Sequence, residues 1–156
     1  MLFRSTDLRE LSSNEGDAAT VIGTMSRVMK IQEAEVNRQD GIVREVVGNR
    51  LVSVFHGERG IIHAIRAARA VNEELASQLD LKNLSIAVGV STGDFVTGSV
   101  ALSSESGLAV IGDAPLLASL FAWHAPAGYA YISYKTTQTT NSDIQQQATR
   151  KEVQLK

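Results

Sequence analysis

Apolar residues recur along the chain with two different periods, and these periods predict helices and strands in alternation. From about residue 17 to residue 37 they are spaced three and four apart, so a long helix with one broad apolar face is expected there. A second helix of about 20 residues is predicted after Gly60. Its buried side carries several small alanines, which would let the helix lie close to a sheet.

Shorter apolar runs predict strands. Two of them flank Gly48-Asn49 and should form a hairpin, since glycine beside a short polar residue suits a two-residue turn. We expect a polar loop at 102–107 and a third helix with Asp113 as its N-cap and Pro115 in its first turn. The predicted strands cover 2–8, 42–47, 50–55, 84–90, 95–101, 129–132 and 151–156.

This order of elements predicts the fold class. It is β-α-β-β-α-β with additions, which indicates an α+β, ferredoxin-like split βαβ sandwich with helices on one face of a mostly antiparallel sheet. With 156 residues, 44% of them hydrophobic, residues 1–156 are expected to form a single domain. The polar segment 136–150 should be a flexible or edge segment. Truncation before a final strand, as in a fragment of a larger multidomain protein, stays an open alternative.

The net charge, the apolar runs and the absence of cysteine exclude or disfavour several classes of function. A net charge of -2 without a basic stripe gives no support for nucleic acid as a partner. No run approaches the roughly 18 apolar residues that would indicate a membrane span, and the first residues lack the pattern of a signal peptide. The absence of cysteine excludes disulfides, thiolate metal sites and thiol nucleophiles. These features favour a cytoplasmic location.

Five short segments, in a fixed order along the chain, form a pattern of sequence motifs. They are Asp7-Leu-Arg-Glu-Leu-Ser12, the hairpin Val47–Phe55, the alanine-rich Ala64–Leu75, the strand pair Ala87–Gly98 and the tetrapeptide Val110-Ile-Gly-Asp113. Together they resemble the catalytic domain of class III adenylate and guanylate cyclases, and the match spans nearly the whole chain. The resemblance implies a reaction in which a ribose hydroxyl of ATP or GTP attacks the α-phosphate, giving a cyclic nucleotide and pyrophosphate.

The resemblance also implies a set of site residues. In the family, two aspartates hold two divalent metals, Mg or Mn, which activate the nucleophile and steady the leaving phosphates. A lysine and an aspartate select the base, while an asparagine and an arginine bind the ribose and the reacting phosphate. These residues come from both members of a dimer.

Most of these positions are altered here. The first metal aspartate matches Asp7, but the second falls on Asn49, whose amide is a poorer partner for Mg²⁺ than a carboxylate. The base-selecting lysine falls on Glu45, a charge reversal, and the base-selecting aspartate on Gly107. Asp7 is therefore either a vestigial metal ligand or a structural carboxylate at the end of a strand.

The phosphate-binding positions are altered as well. The asparagine falls on Leu116 and the arginine on Leu120, so two polar groups are replaced by apolar ones. Losing one preorganised donor of this kind costs about 3 kcal/mol of transition-state stabilisation. Glu10 stands where the family usually has glycine beside the triphosphate, and its carboxylate would repel the phosphates.

These substitutions predict a catalytically degenerate cyclase homology domain that acts as a dimerising or regulatory signalling module. No catalytic residue, nucleotide-binding residue or cofactor is expected, and the partner would be a second copy or another cyclase-like domain. Leu116 and Leu120 would then line an apolar former active site, although ordinary core is an equal alternative. Two other hypotheses stay open. One is an active divergent cyclase in which Asp94 or Glu105 assists Asp7, and the other is a nucleotide sensor without turnover.

Overall fold

The computed structural model describes residues 2–6, 18–101, 106–133 and 152–154. Within these ranges the chain forms eight strands and three helices. The helices are α1 (Ala18–Arg38), α2 (Gly60–Ser77) and α3 (Asp113–His124). The strands are β1 (Leu2–Thr6), β2 (Gly41–Val47), β3 (Arg50–Phe55), β4 (Ser85–Val90), β5 (Val96–Ala101), β6 (Ser106–Ile111), β7 (Tyr129–Ile132) and β8 (Glu152–Gln154).

Six strands form one sheet in the order β2-β3-β1-β4-β7-β8, and β5 and β6 form a separate two-stranded ribbon, here called the arm. Every neighbouring pair is antiparallel except β4 with β7, which is parallel. The parallel pair is possible because α3 lies between β4 and β7 in sequence and can cross over the sheet. The α+β class and the mostly antiparallel sheet are therefore confirmed.

The helices cover the two faces of the sheet unequally. Along β4, Ile86, Val88 and Val90 are buried in the core that α1 and α2 form with the sheet. Gly89 points to the opposite face, where it meets the backbone of α3, and Val52 packs against alanines of α3 on that same face. The expectation of helices on one face thus holds for α1 and α2, whereas α3 lies on the other face.

Two local expectations about the arm and α3 need correction. The strand β6 begins at Ser106, so Ser106 and Gly107 belong to the arm and not to a polar loop. The N-cap of α3 is Gly112, and no side chain caps the helix. Asp113 is the first helical residue, where the negative charge of its carboxylate interacts favourably with the helix dipole. Pro115 lies in the first turn as predicted, where its missing N–H costs no intrahelical bond.

The remaining boundaries agree closely with the sequence. The hairpin strands, β4, β7 and a short strand near the C-terminus lie where the pattern predicted them. The segment 136–150 falls outside the described residues. None of the helices in the described part of the chain combines the length and the apolar character needed to cross a bilayer.

Candidate functional site

A β-bulge decides which side chains of β2 reach the candidate site. The register between β2 and β3 shifts at Arg44. Val43, which precedes the shift, packs against the core that α1 and α2 form with the sheet. Without the shift, Val43, Glu45 and Val47 would all share one face, because side chains alternate along a strand. The extra residue turns Glu45 and Val47 to the opposite face, towards α3.

These side chains form one wall of a groove of about 420 Å³, here called the α3 groove. The other wall comes from the end of β6 and the first turns of α3. The groove is lined by Glu45, Val47, Arg50, Val52, Val110, Ile111, Gly112, Pro115, Leu116 and Ser119. Most of its wall is apolar, and one carboxylate and one guanidinium lie at the β2–β3 end.

The structure brings only part of the predicted site together. Glu45 and Leu116 both line the α3 groove, on opposite walls. Leu120 lies one turn further along α3 and is 47% exposed, outside the groove lining. Gly107 is on the arm, opposite Val100. Asp7 and Glu10 fall outside the described residues, and so does Glu105, which was considered as a substitute metal ligand.

Asn49 lies at the tip of the β2–β3 hairpin. Gly48 adopts a φ of 58° there, while Asn49 does not have a positive φ, as expected for a two-residue turn that begins with glycine. Asn49 is half-buried, and Arg50 follows it directly and enters the groove. Because Arg4 of β1 lies opposite Arg50, the end of β1 runs beside this hairpin.

The side chains at the β2–β3 hairpin tip are poorly suited to coordinate a divalent cation. Asn49 offers an amide where a carboxylate would be needed, and the neighbouring guanidinium of Arg50 is itself a cation. Asp94, the other candidate ligand, is exposed in the segment before β5. Within residues 18–101 and 106–133, no three His, Cys, Asp or Glu side chains come close enough to hold a metal ion.

Helix α3 has its small residues inside and its large apolar residues outside. Ala114, Ala118 and Ala122 face the sheet and are buried. On the opposite side Leu116 is 60% exposed, and Leu117, Leu120 and Trp123 are also well exposed. A helix that is apolar on all sides normally has partners on all sides. The structure therefore places Leu116 and Leu120 on the surface, not in the core of the chain.

The arm extends this apolar surface. Val96 and Ile111 lie opposite each other in the register of β5 and β6 and are both exposed. Val100 lies four residues further along β5 on the same face, with Gly98 between them. Ile111 also lines the α3 groove next to Leu116. The exposed residues Val96, Val100, Ile111, Leu116, Leu117, Leu120 and Trp123 are here called the apolar surface.

The ion pair between Arg27 and Asp80 lies outside the α3 groove. Arg27 of α1 hydrogen-bonds Asp80, which follows α2, and also donates to Gln78 Oε1 at 2.8 Å. The hydrogen bond from Arg27 holds the pKa of Asp80 below its ordinary value. Both side chains are at least half exposed, so this pair fixes α1 to the end of α2 and takes no part in the groove.

Three features of the site escaped the sequence analysis. Arg50 was not recognised as a groove residue, although its alternation with Val52 in β3 could have placed both on one face. The bulge at Arg44 has no clear signal in a run of valines and charged residues. Trp123 was overlooked, although its spacing of three from Leu120 places it on the same side of α3.

Comparison with solved structures identifies the fold. The catalytic core of a rhodopsin-guanylyl cyclase with converted specificity, in complex with ATPαS, superposes with a TM-score of 0.79 at 16% identity, covering 91% of this chain and 79% of that one. The adenylyl cyclase CyaB from P. aeruginosa gives a TM-score of 0.74 at 16% identity, with 88% of this chain and 76% of that one covered.

A third neighbour is the guanylyl cyclase domain of the RhoGC fusion protein from Blastocladiella emersonii. Its dimeric form gives a TM-score of 0.76 at 18% identity, covering 88% of this chain and 79% of that one. Its monomeric form gives 0.73 at 17% identity, covering 88% and 81%. No protein-family model and no curated protein sequence matches this chain. The chain therefore has the fold of adenylyl and guanylyl cyclase catalytic domains.

Proposed function

We propose that this chain is a catalytically degenerate cyclase homology domain that pairs with a second cyclase-type domain through its apolar surface. The observation that carries the proposal is the arrangement of α3, with alanines on the sheet and leucines and a tryptophan in solvent. A single copy cannot bury that outer side, and a contiguous exposed apolar patch is typical of an interaction site.

The loss of catalysis is supported by the chemistry of the groove. Cyclisation needs a cation at the triphosphate and donors at the reacting phosphate. The positions that resemble those of active cyclases hold an amide at Asn49 and apolar side chains at Leu116 and Leu120. Leu116 has methyl groups at the position where the resemblance calls for a hydrogen-bond donor, and the side-chain donors in the groove lining are those of Ser119 and Arg50.

The surface composition favours a cyclase-type partner, either a second copy or a related domain. The arm and α3 form one continuous apolar surface around a groove, and such a surface is complementary to a similar one with few charges. A two-fold arrangement is the commonest way for a chain to bury a surface of this kind against itself. A guanylyl cyclase domain of the same fold is known in a dimeric form.

Sedimentation velocity over a range of concentrations tests the pairing. The chain should sediment as a dimer, and Leu120→Glu should raise the dissociation constant at least about tenfold, because it buries an unpaired charge in the interface. Leu79→Glu is the matched control, since Leu79 is 86% exposed in the loop after α2, away from the apolar surface. A chain that stays monomeric alone and with a cyclase-type partner would contradict the proposal.

Glu45 favours a second candidate function, that of a nucleotide sensor without turnover. Its carboxylate lines the groove, and a carboxylate can accept hydrogen bonds from the ring N–H and amino group of guanine, whereas adenine offers no such pair of donors. Isothermal titration calorimetry with GTP, and with ATP as the matched control, tests this function. A preference for GTP that Glu45→Gln abolishes would support it; no heat with either nucleotide would rule it out.

A further inference from the structure

The α3 groove contains two charged side chains of opposite sign, and the other described residues of its lining are uncharged. Glu45 of β2 lies opposite Val52 of β3, and Arg50 lies two residues before Val52. The two charged residues are therefore diagonal neighbours on one face of the hairpin. In a regular antiparallel pair, such neighbours are about 7–8 Å apart. The two charges thus lie side by side on the same wall of the groove.

Neither charge is neutralised within the described part of the chain. Glu45 and Arg50 are both half-buried, but neither forms an ion pair or a side-chain hydrogen bond with another described residue. Each side chain has lost part of its hydration without gaining a partner of opposite charge. Both charges are therefore available to groups of opposite charge on another molecule.

The α3 groove is continuous with the apolar surface. Ile111 and Leu116 belong to both, because they line the groove and are also exposed. A partner that covers the apolar surface therefore also covers the groove. Burying two charges under a partner without counter-charges is costly, because the lost hydration energy is not recovered. The partner should carry a cation opposite Glu45 and an anion opposite Arg50.

A second copy of this chain carries both of the required charges. In a two-fold interface, residue i of one copy contacts residue j of the other, and residue j contacts residue i. A two-fold axis that passes between Glu45 and Arg50 reverses their order, so each glutamate faces the arginine of the other copy. The same ion pair then forms twice. A related domain would need its own cation and anion at the matching positions.

We propose that the partner at the apolar surface is a second copy of this chain, and that Glu45 of each copy forms an ion pair with Arg50 of the other across the α3 groove. This inference rests on the proposed pairing through the apolar surface, and it adds the identity of the partner. The leucines of α3 supply buried apolar area, and the two charges select the partner. The ion pair uses the same carboxylate as the nucleotide-sensor alternative and therefore competes with it.

Charge reversal tests the exchange of ion pairs. Glu45→Arg alone would place arginines opposite each other, and Arg50→Glu alone would place glutamates opposite each other. Each variant should therefore have a dissociation constant at least about tenfold higher than that of the wild type in sedimentation velocity. An equimolar mixture of the two variants should pair about as tightly as the wild type, because arginine then faces glutamate at both contacts.

The double variant Glu45→Arg/Arg50→Glu should also pair like the wild type, since it exchanges the two charges within each copy. Its pairing would show that both new side chains are compatible with folding. Arg66→Glu and Glu73→Arg are the matched controls, because both residues are exposed on α2, on the opposite face of the sheet from α3. Alone or mixed, the control variants should pair like the wild type.

Three results would overturn the inference. Wild-type affinity of both single variants would exclude the ion pairs and leave the apolar pairing intact. Weak pairing that the mixture does not rescue would mean that Glu45 and Arg50 act within one chain. A wild type that is monomeric alone, but pairs with a related cyclase-type domain, would exclude the second copy without contradicting the proposed function.

Discussion

Gly89 of β4 and Ala118 of α3 lie so close together that a Cβ atom on Gly89 would fall 1.9 Å from the carbonyl oxygen of Ala118. The same Cβ would lie 2.6 Å from the backbone nitrogen of Ala122. Both neighbours are backbone atoms of a helix, which cannot move aside as a flexible side chain can. Helix α3 therefore rests directly on the backbone of β4, and this contact fixes the height of the α3 groove and of the apolar surface above the sheet.

Gly89→Ala should accordingly be severely destabilising. Adding one methyl group forces α3 away from the sheet, and overpacking of this kind costs about 3 kcal/mol or prevents folding altogether. Chemical denaturation monitored by the fluorescence of Trp123, which lies on α3, measures the effect. Gly23→Ala is the matched control: Gly23 is exposed in α1 with no atom within 4 Å of its added Cβ, so the change should stabilise by up to about 1 kcal/mol. Equal stability of the two variants would contradict the close approach.

The pair Arg27 and Asp80 should make a small, pH-dependent contribution to stability. The hydrogen bond from Arg27 lowers the pKa of Asp80 in the folded state, so the contribution is present above the ordinary aspartate pKa and is lost as the pH falls through the lowered value. Asp80→Asn should lower the melting temperature slightly at pH 7 and not at all at strongly acidic pH. The pair is exposed, so 1 M salt should also reduce the difference.

A double-mutant cycle isolates this contribution. In an Arg27→Gln background the effect of Asp80→Asn at pH 7 should largely disappear, because the partner that lowers the pKa is gone. An undiminished effect in that background would show that Asp80 stabilises the chain through some other contact.

Introducing a carboxylate at the hairpin tip should create some affinity for a divalent cation. Asn49→Asp places a negative charge beside the end of β1, where the resemblance to cyclases puts Asp7 as the other ligand. Electron paramagnetic resonance of free Mn²⁺ should show at least about tenfold tighter binding than in the wild type. Asn49→Ser keeps a polar turn residue and should show no gain. If Asn49→Asp gains nothing, the hairpin tip and Asp7 do not form the family's metal site.

Much of this fold could be predicted because the spacing of apolar residues indicates which face of each helix or strand is buried. The clean alternation around Val88 and the three- and four-residue spacing in α1 locate their elements to within a residue or two. The face of the sheet on which α3 lies could not be predicted. Its sequence is apolar on every side, so the pattern alone cannot separate the buried Ala118 from the exposed Leu120.

Two features of the candidate site could not be predicted from the sequence for a similar reason. The resemblance indicated which family positions had changed, but the groove depends on a bulge at Arg44, whose placement comes from tertiary packing and not from local propensity. The start of β6 was missed because Ser106 and Gly107 are polar or small, and a strand in a solvent-exposed ribbon needs no apolar alternation. Neither feature changes the hydrophobic pattern on which the prediction depended.

A nucleotide turnover assay tests the central claim most directly. The purified chain, alone and mixed with a cyclase-type partner domain, would be incubated with ATP or GTP and Mn²⁺, and cyclic nucleotide and pyrophosphate would be quantified by mass spectrometry. The resemblance to cyclases puts a metal carboxylate at position 49 and phosphate-binding donors at positions 116 and 120, where this chain has Asn49, Leu116 and Leu120, and the proposal therefore predicts no product above the level of a buffer control. Cyclic nucleotide formed by the chain alone, in proportion to its concentration, would contradict the account.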